Sequence, residues 1–304
     1  MNIVFMGSPE FALPSLEKLY ESAHTIKAVV SNKDKRRGRG SKTSPTPVKA
    51  RALELNLPVI EADDLQSEEF EESLKALNAD LFVVVAFRIL PKNILEIPRK
   101  GSVNLHASLL PKYRGAAPIH WAIINGEEET GCTVFFLDEL VDTGNILAQK
   151  KTHIGENETT GELYERLRHL GSDLLVEAVN SIKTGDYTLS SQNEAFATPA
   201  PKLFKDDSHI NFQLPANQVH NKIRGLSPFP TAWAEWHGQK FNIYRSKKGE
   251  TANIEPGELL VRENCLFVGC ESGTIELLEV QLPGTKRLTG EEFIRGYEIA
   301  GKLA

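Results

Sequence analysis

Several familiar signatures are scarce or missing in these 304 residues. Cysteine occurs three times, at Cys132, Cys265 and Cys270. An odd count without paired metal-ligand spacing supports neither a disulfide framework nor a structural zinc site, so the thiols read as reduced and buried, in a cytoplasmic protein. The longest obvious apolar run, residues 81–87, is far shorter than the roughly 20 residues that cross a bilayer. The first residues, Met1-Asn-Ile-Val-Phe-Met6, lack a basic n-region and soon meet Pro9 and Glu10; they read as a strand, not a signal peptide. No Gly-x-Gly-x-x-Gly is present, so a dinucleotide site is unsupported. No clustered ligand set appears, and no metal is expected. Basic residues are outnumbered, 35 against 41, for a net charge of -6. That excludes a protein coating nucleic acid over its whole surface but leaves room for a local basic patch.

What is present has a clear order. Residues 2–6 form a continuous apolar strand, followed by Gly7 at a tight turn, Ser8 as a helix cap and Pro9 at the first helical position. A helix over 10–22 and a strand over 26–30 follow. Strand, turn, helix and strand in that order predict a doubly wound α/β sheet. The pattern continues with helices over 48–55 and 68–77, the apolar strand 81–87, a strand from Val103, a helix over 117–125, strands over 131–137 and 146–152, and one long amphipathic helix over 160–183. Regularity then lapses into Ser, Gln, Asn, Thr and Pro, which reads as a connection between domains. Beyond it come a helix over 216–225, five short strands separated by turn signals, and a closing helix over 291–300. Strands at that spacing predict a small barrel of the OB type. The expected division is a first domain over 1–189, a linker over 190–207 and an OB-like domain over 208–304.

Two stretches carry chemistry. In residues 101–118 the strand pattern points Val103, Leu105 and Ala107 one way and Asn104, His106 and Ser108 the other. An amide donor beside an imidazole suits acyl transfer: the amide holds a developing oxyanion and the imidazole moves a proton near neutral pH. A strand with two hydrogen-bonded polar residues is the blander alternative. Asp142, in an Asp-Thr-Gly turn, supplies a carboxylate to hold the imidazole and fix its tautomer, with Asp138 as the competing carboxylate. No protein nucleophile is required; the attacking group is then an amine on the substrate. The second stretch, residues 31–47, packs six basic residues and one acid between Lys33 and Lys42, among glycines and prolines. It reads as a flexible loop, either a solvated surface loop or a contact for a polyanion.

Asn-x-His-x-Ser-Leu-Leu-Pro-x-Tyr-Arg-Gly-x-x-Pro, followed by Asp-Thr-Gly, resembles the folate-dependent formyltransferases. The opening Phe-Met-Gly-Ser-Pro-Glu-Phe, the Gly-Arg-Gly insert and Ile223-Arg-Gly-Leu-Ser-Pro-Phe-Pro-Thr-Ala-Trp233 are similar to the branch of that family that acts on aminoacylated tRNA, and the likeness spans nearly the whole chain. It implies direct formyl transfer from 10-formyltetrahydrofolate to the α-amine of methionine on initiator methionyl-tRNA, for translation initiation in the cytoplasm, by a monomer without a membrane partner. It implies Asn104, His106 and Asp142 as catalytic residues. Ala86, Phe87, Arg88, Ile89 and Leu90 match the loop whose backbone cradles the pterin, and Ser108, Leu109, Leu110 and Pro111 match the folate-contacting run. Arg39 matches the arginine that enters the acceptor stem, with Arg36, Arg37 and Lys42 beside it as further tRNA contacts. The sequence departs from the family at Phe87-Arg88, where Tyr-Gly is usual, and at Leu140, where glycine is usual. Two rivals remain: a formyltransferase for a small amine, such as a ribonucleotide or amino sugar, and a non-catalytic RNA-binding module on the same fold.

Overall fold

The structure, a computed structural model, describes residues 1–37, 42–249 and 254–304. Along the first half of the chain run β1 (Asn2–Gly7), α1 (Leu13–Glu21), β2 (Thr25–Asn32), β3 (Lys35–Arg37), β4 (Lys42–Ser44), α2 (Pro47–Glu54), β5 (Val59–Ala62), α3 (Glu68–Lys75), β6 (Leu81–Val85), α4 (Lys92–Leu95), β7 (Ser102–His106), α5 (Pro118–Ile124), β8 (Glu129–Phe136) and β9 (Ile146–His153). The second half holds α6 (Thr160–Thr184), α7 (Ala216–Gly225), β10 (Ala232–Trp236), β11 (Gln239–Lys248), β12 (Leu259–Arg262), β13 (Cys265–Gly269), β14 (Thr274–Gln281), β15 (Leu288–Thr289) and α8 (Gly290–Gly296). The chain divides into two compact units. One comprises residues 1–115, 131–152 and 165–199; the other comprises 116–130, 153–164 and 200–304.

The first unit is organised by a seven-stranded sheet in the order β5-β2-β1-β6-β7-β8-β9. β1 pairs in parallel with both β2 and β6, and β6 with β7, while β7 and β8 are antiparallel. Ile3 to Met6 and Leu81 to Val85 are buried along their whole length, as strands covered on both faces must be. The chain leaves β1 toward β2 on one side and returns as β6 on the other. Such a reversal makes the carboxyl ends of these strands the ordinary ligand position in sheets of this kind. Gly7 ends β1 there: a Cβ on it would sit 2.9 Å from the Val85 carbonyl oxygen, so only glycine lets the two strand ends approach this closely.

The first helix departs from the sequence reading. A 3₁₀ turn over Glu10–Ala12 precedes α1, and Pro14 stands in the first turn of α1. Ser8 caps nothing. Its hydroxyl is 3.3 Å from that of Ser31 and accepts from the Asn32 N–H, and Ser31 is 2.6 Å from the Thr46 hydroxyl. Burial decides this: a hydroxyl with no access to water takes the nearest buried partners.

The second unit carries a six-stranded antiparallel sheet in the order β10-β11-β14-β13-β12, with β15 on β14. Register shifts in β11 near Arg245 are bulges, the usual device for curling a sheet toward a barrel. Five strands were expected, and β15, two residues long, is the sixth. Trp236, Phe241 and Phe293 fill the middle edge to face, with centroids 5.3–6.0 Å apart. α8 opens with a capping box between Thr289 and Glu292 and stops at Gly296, short of the expected end at Ala300. The molecule is thus α/β, with a doubly wound, mostly parallel sheet and a barrel-like antiparallel domain.

Candidate active site

Asn104 and His106 stand two apart near the end of β7, on one face of it by strand alternation. The register Val85↔Leu105 brings the loop after β6 beside them. His106 is buried and its Nε2 lies 2.8 Å from the carbonyl oxygen of Tyr113. A carbonyl only accepts, so the neutral ring carries its proton on Nε2 and leaves Nδ1 bare. Nδ1 faces Asp142, whose Oδ2 is 3.7 Å away. That exceeds a hydrogen bond; a lone pair facing a carboxylate gains nothing by closer approach until a proton arrives. The expectation that Asp142 fixes the tautomer is therefore corrected: Tyr113 fixes it, and Asp142 stands where a positive charge on the ring would be stabilised. Asp142 adopts φ 57° and its Oδ2 accepts the Gly115 N–H at 2.8 Å. The competing carboxylate is spent locally. Oδ1 of Asp138 accepts from the Leu140 N–H and the Thr143 hydroxyl. Gly144 closes the turn against Phe136, whose carbonyl oxygen would lie 1.7 Å from any Cβ. The side chain of half-buried Asn104 makes no hydrogen bond among the described residues.

The loop over Ala86 to Leu90 has an unusual backbone. Ala86 has φ 50°, and the N–H and C=O groups of Phe87, Arg88, Ile89 and Leu90 make no hydrogen bonds among the described residues. The loop is fastened by side chains. Leu90 is buried, and Arg88 donates to the carbonyl oxygens of Ala62 at 2.6 Å and Asp63 at 2.9 Å, with its guanidinium 5.6 Å from the Phe87 ring centroid. Ile89 is 72% exposed.

Ser108 to Pro111 is, by contrast, closely bonded to neighbouring residues of the protein. The Ser108 hydroxyl donates to the Lys112 carbonyl, and the Ser108 carbonyl accepts from the Thr133 hydroxyl. Leu110 donates its N–H to Thr133 Oγ1 and accepts from Gln149 Nε2. Most of this run's polar groups therefore hold its own shape. Thr133 and Gln149 were not singled out in the sequence, because neither a strand threonine nor a strand glutamine carries any local signal.

Another group that sequence reading missed surrounds the Asp142 turn. Gln192 Nε2 donates to the carbonyl oxygens of Asp142 at 2.9 Å and Gly144 at 2.8 Å. Its Oε1 accepts from Nε and Nη2 of Arg114 at 3.1 and 2.8 Å. Arg114 also grips Glu194 with both terminal nitrogens. That pairing raises the guanidinium's already high pKa, with Asp142 and Asp138 adding to it, and holds the Glu194 carboxyl below the usual range. Arg114 belongs to the Tyr-Arg-Gly run, so a signal existed; Gln192 lies in the stretch read as linker and gave none.

Of the basic insert, Arg39 lies outside the described residues. Arg36, Arg37 and Lys42 are described by backbone alone: β3 and β4 pair antiparallel, Arg36 opposite Thr43 and Arg37 opposite Lys42. The flexible loop expected there is thus a two-stranded ribbon at its base. Behind it Lys49 bonds Asp34 at 2.7 Å and also reaches Glu61. Cys132 and Cys270 are buried thiols, each pushed up to about 12 by desolvation, which keeps them unreactive. Among the described residues no group of His, Cys, Asp and Glu is placed to hold a metal, and no helix is long and apolar enough to cross a membrane.

Comparison with known proteins now decides the family. The formyl transferase family matches residues 1–179, and the formyl transferase C-terminal domain matches residues 202–298. A methionyl-tRNA formyltransferase of Porphyromonas gingivalis is 41% identical over 100% of this chain and 98% of its own. One from Halothermothrix orenii is 42% identical over 98% of each. The chain belongs to the methionyl-tRNA formyltransferase family. Among solved structures, an N-formyltransferase from Helicobacter canadensis, in complex with folinic acid and dTDP-3-aminofucose, shares 25% identity, covers 90% of this chain and 98% of its own, and superposes with a TM-score of 0.68. Family membership over the full length leaves the non-catalytic RNA-binding reading without support. The likeness to an amino-sugar enzyme belongs to the shared fold, at much lower identity than the tRNA-enzyme relatives.

Proposed function

We propose that Asn104, His106 and Asp142 carry the formyl transfer of this enzyme. The reaction moves a formyl group from 10-formyltetrahydrofolate to the α-amine of methionine on initiator methionyl-tRNA, giving formylmethionyl-tRNA for translation initiation. The observation that carries the assignment is the bracketing of His106: a carbonyl takes its only proton on one side, and a carboxylate waits 3.7 Å from its bare Nδ1 on the other. The free Asn104 amide two residues away completes the set.

The residues present fit a folate donor. A flat heterocycle edged with donors and acceptors needs unpaired backbone groups of both kinds, and Phe87 to Leu90 offer them in a row at the strand ends. 10-Formyltetrahydrofolate supplies the activated formyl group and a nitrogen that departs with a proton. Asn104 donates to the formyl oxygen as negative charge builds on it. His106 takes the proton of the attacking amine on Nδ1 and returns it to the departing nitrogen. Asp142 stabilises the ring while it is charged. Ser108 to Pro111 form a rigid wall, and the basic insert, with Arg36, Arg37, Arg39 and Lys42, together with the C-terminal domain, serves the tRNA. We place the catalytic domain within 1–189 and the tRNA-binding domain within 208–304, and assign the enzyme to the cytoplasm as a monomer.

The test is transfer of labelled formyl to charged initiator tRNA by wild type, Asn104→Ala and His106→Ala. An oxyanion donor is worth about 10²–10³ in rate and acid–base help about 10²–10⁴. Each variant is expected to lose at least about 10²-fold in kcat while still binding both substrates. Near-normal turnover by either variant would remove that residue from the chemistry, and preference for a small amine over charged tRNA would reassign the substrate.

A further inference from the structure

We infer that Gln192, backed by Arg114, is a positioning residue for the reaction, and that residues 192–198 set where the two groups flanking His106 stand. This rests on the assignment of His106 and Asp142 made above.

Both flanking residues are in backbone conformations that L side chains seldom adopt: Tyr113 at φ 62° and Asp142 at φ 57°. Such residues keep their geometry only where neighbours over-determine it. The same short segment supplies those neighbours on both sides. Thr198 accepts the Tyr113 N–H on its hydroxyl at 2.9 Å and the Arg114 N–H on its carbonyl at 2.9 Å, and its own N–H reaches the Pro111 carbonyl. Six residues earlier, Gln192 holds the carbonyls of Asp142 and Gly144, one on each side of Thr143. The amide has no freedom left. Its NH₂ serves two acceptors, so its oxygen must face Arg114, and the guanidinium fixes that orientation because it can only donate. Arg114 is in turn locked by Glu194 in a two-pronged pair. The connection read from composition as a linker thus reaches into the catalytic turn.

Gln192→Glu separates this role from a merely structural one. A glutamate has the same shape and keeps the Arg114 contact, but it presents oxygen instead of NH₂ to the carbonyls of Asp142 and Gly144. Displacing a reacting group by about 1 Å can cost 10²-fold in rate. The measurement is kcat, both KM values and melting temperature for Gln192→Glu and Gln192→Ala, each alone and combined with Asp142→Asn. The expected result is a kcat loss of about 10²-fold with KM values changed less than about twofold and melting preserved. The double variants should be no slower than Asp142→Asn alone, because positioning an absent charge is worth nothing. Wild-type kcat in both single variants, or losses that multiply in the double variants, overturns the inference. If Asp142→Asn is fully active, the assignment of the site falls and this inference with it; if Asp142→Asn is slow and the Gln192 variants are not, only this inference falls.

Discussion

Nδ1 of His106 and Oδ2 of Asp142 stand 3.7 Å apart with the ring's proton on the opposite nitrogen, against Tyr113. A carboxylate so placed contributes little while the ring is neutral and most when it is charged, which is the condition for lowering a barrier without tightening ground-state binding. Asp142→Asn keeps the shape and an oxygen for the Gly115 N–H but removes the charge. It is expected to lower kcat by about 10²-fold or more, with both KM values and melting temperature nearly unchanged. Steady-state kinetics against charged tRNA and folate donor checks this. A rise in KM at constant kcat would instead place Asp142 in substrate binding.

Arg88 anchors the loop after β6, which is assigned above to the folate donor by proposal. Its guanidinium donates to the carbonyls of Ala62, the last residue of β5, and Asp63, and so tethers a loop whose backbone from Phe87 to Leu90 makes no hydrogen bond among the described residues. Arg88→Ala frees the loop, which must then be ordered when the donor binds. Hydrogen bonds to charged groups contribute about 1.5–3 kcal/mol, so KM for the folate donor should rise by about tenfold or more. KM for tRNA should stay constant, and a rise in both to the same extent would show general damage to the sheet end.

Legibility followed the range of each interaction. The apolar runs at Ile3–Met6 and Leu81–Val85 announced buried strands because burial on both faces leaves nothing else to write there. Asn104 and His106 were legible as a pair because strand alternation is local. From its own residues Asp142 was legible only as one of two carboxylates, and the family resemblance singled it out; the structure adds that Leu140 and Thr143 occupy Asp138. The Tyr113 carbonyl was not legible at all, since a backbone acceptor is the same in every residue. Nor was Gln192: its partners lie 48 and 50 residues away in the chain, and nothing in a polar connecting stretch distinguishes a tether from a spacer. Ser8 misled for the same reason, its hydroxyl being taken by Ser31 and Asn32 from the next strand.

The basic insert over residues 33–42 concentrates charge on a chain that is acidic elsewhere. Arg36, Arg37, Arg39 and Lys42 changed together to Gln should raise KM for tRNA and flatten its dependence on salt, the logarithmic slope falling by about 0.7–0.9 for each phosphate no longer neutralised. Donor affinity, measured by folate binding, should not move, because β3 and β4 carry none of the residues assigned to the pterin. An unchanged salt slope would make the insert a structural one.

Three imidazoles, at His24, His120 and His220, give the fold a pH dependence above the acid range. Desolvation, the largest effect at each, lowers the pKa of His24, His120 and His220 below the ordinary 6.5, with hydrogen bonds to Asn180, Phe229 and Glu156 opposing it only in part. A folded-state pKa below the unfolded one means that the unfolded chain binds more protons as pH falls, so stability rises with pH in that window. The loss begins as pH drops through about 6.5 and ends at the lower folded values. Carboxylates such as Glu162 and Glu194 are shifted below their ordinary 4.5, so they hold their charge through this window and cannot account for the loss. Melting temperature should therefore fall between about pH 7.5 and 5.5. His24→Gln, which retains a donor for Asn180 but cannot titrate, should reduce that slope. A melting temperature flat across the window would mean that these rings gain their protons without unfolding.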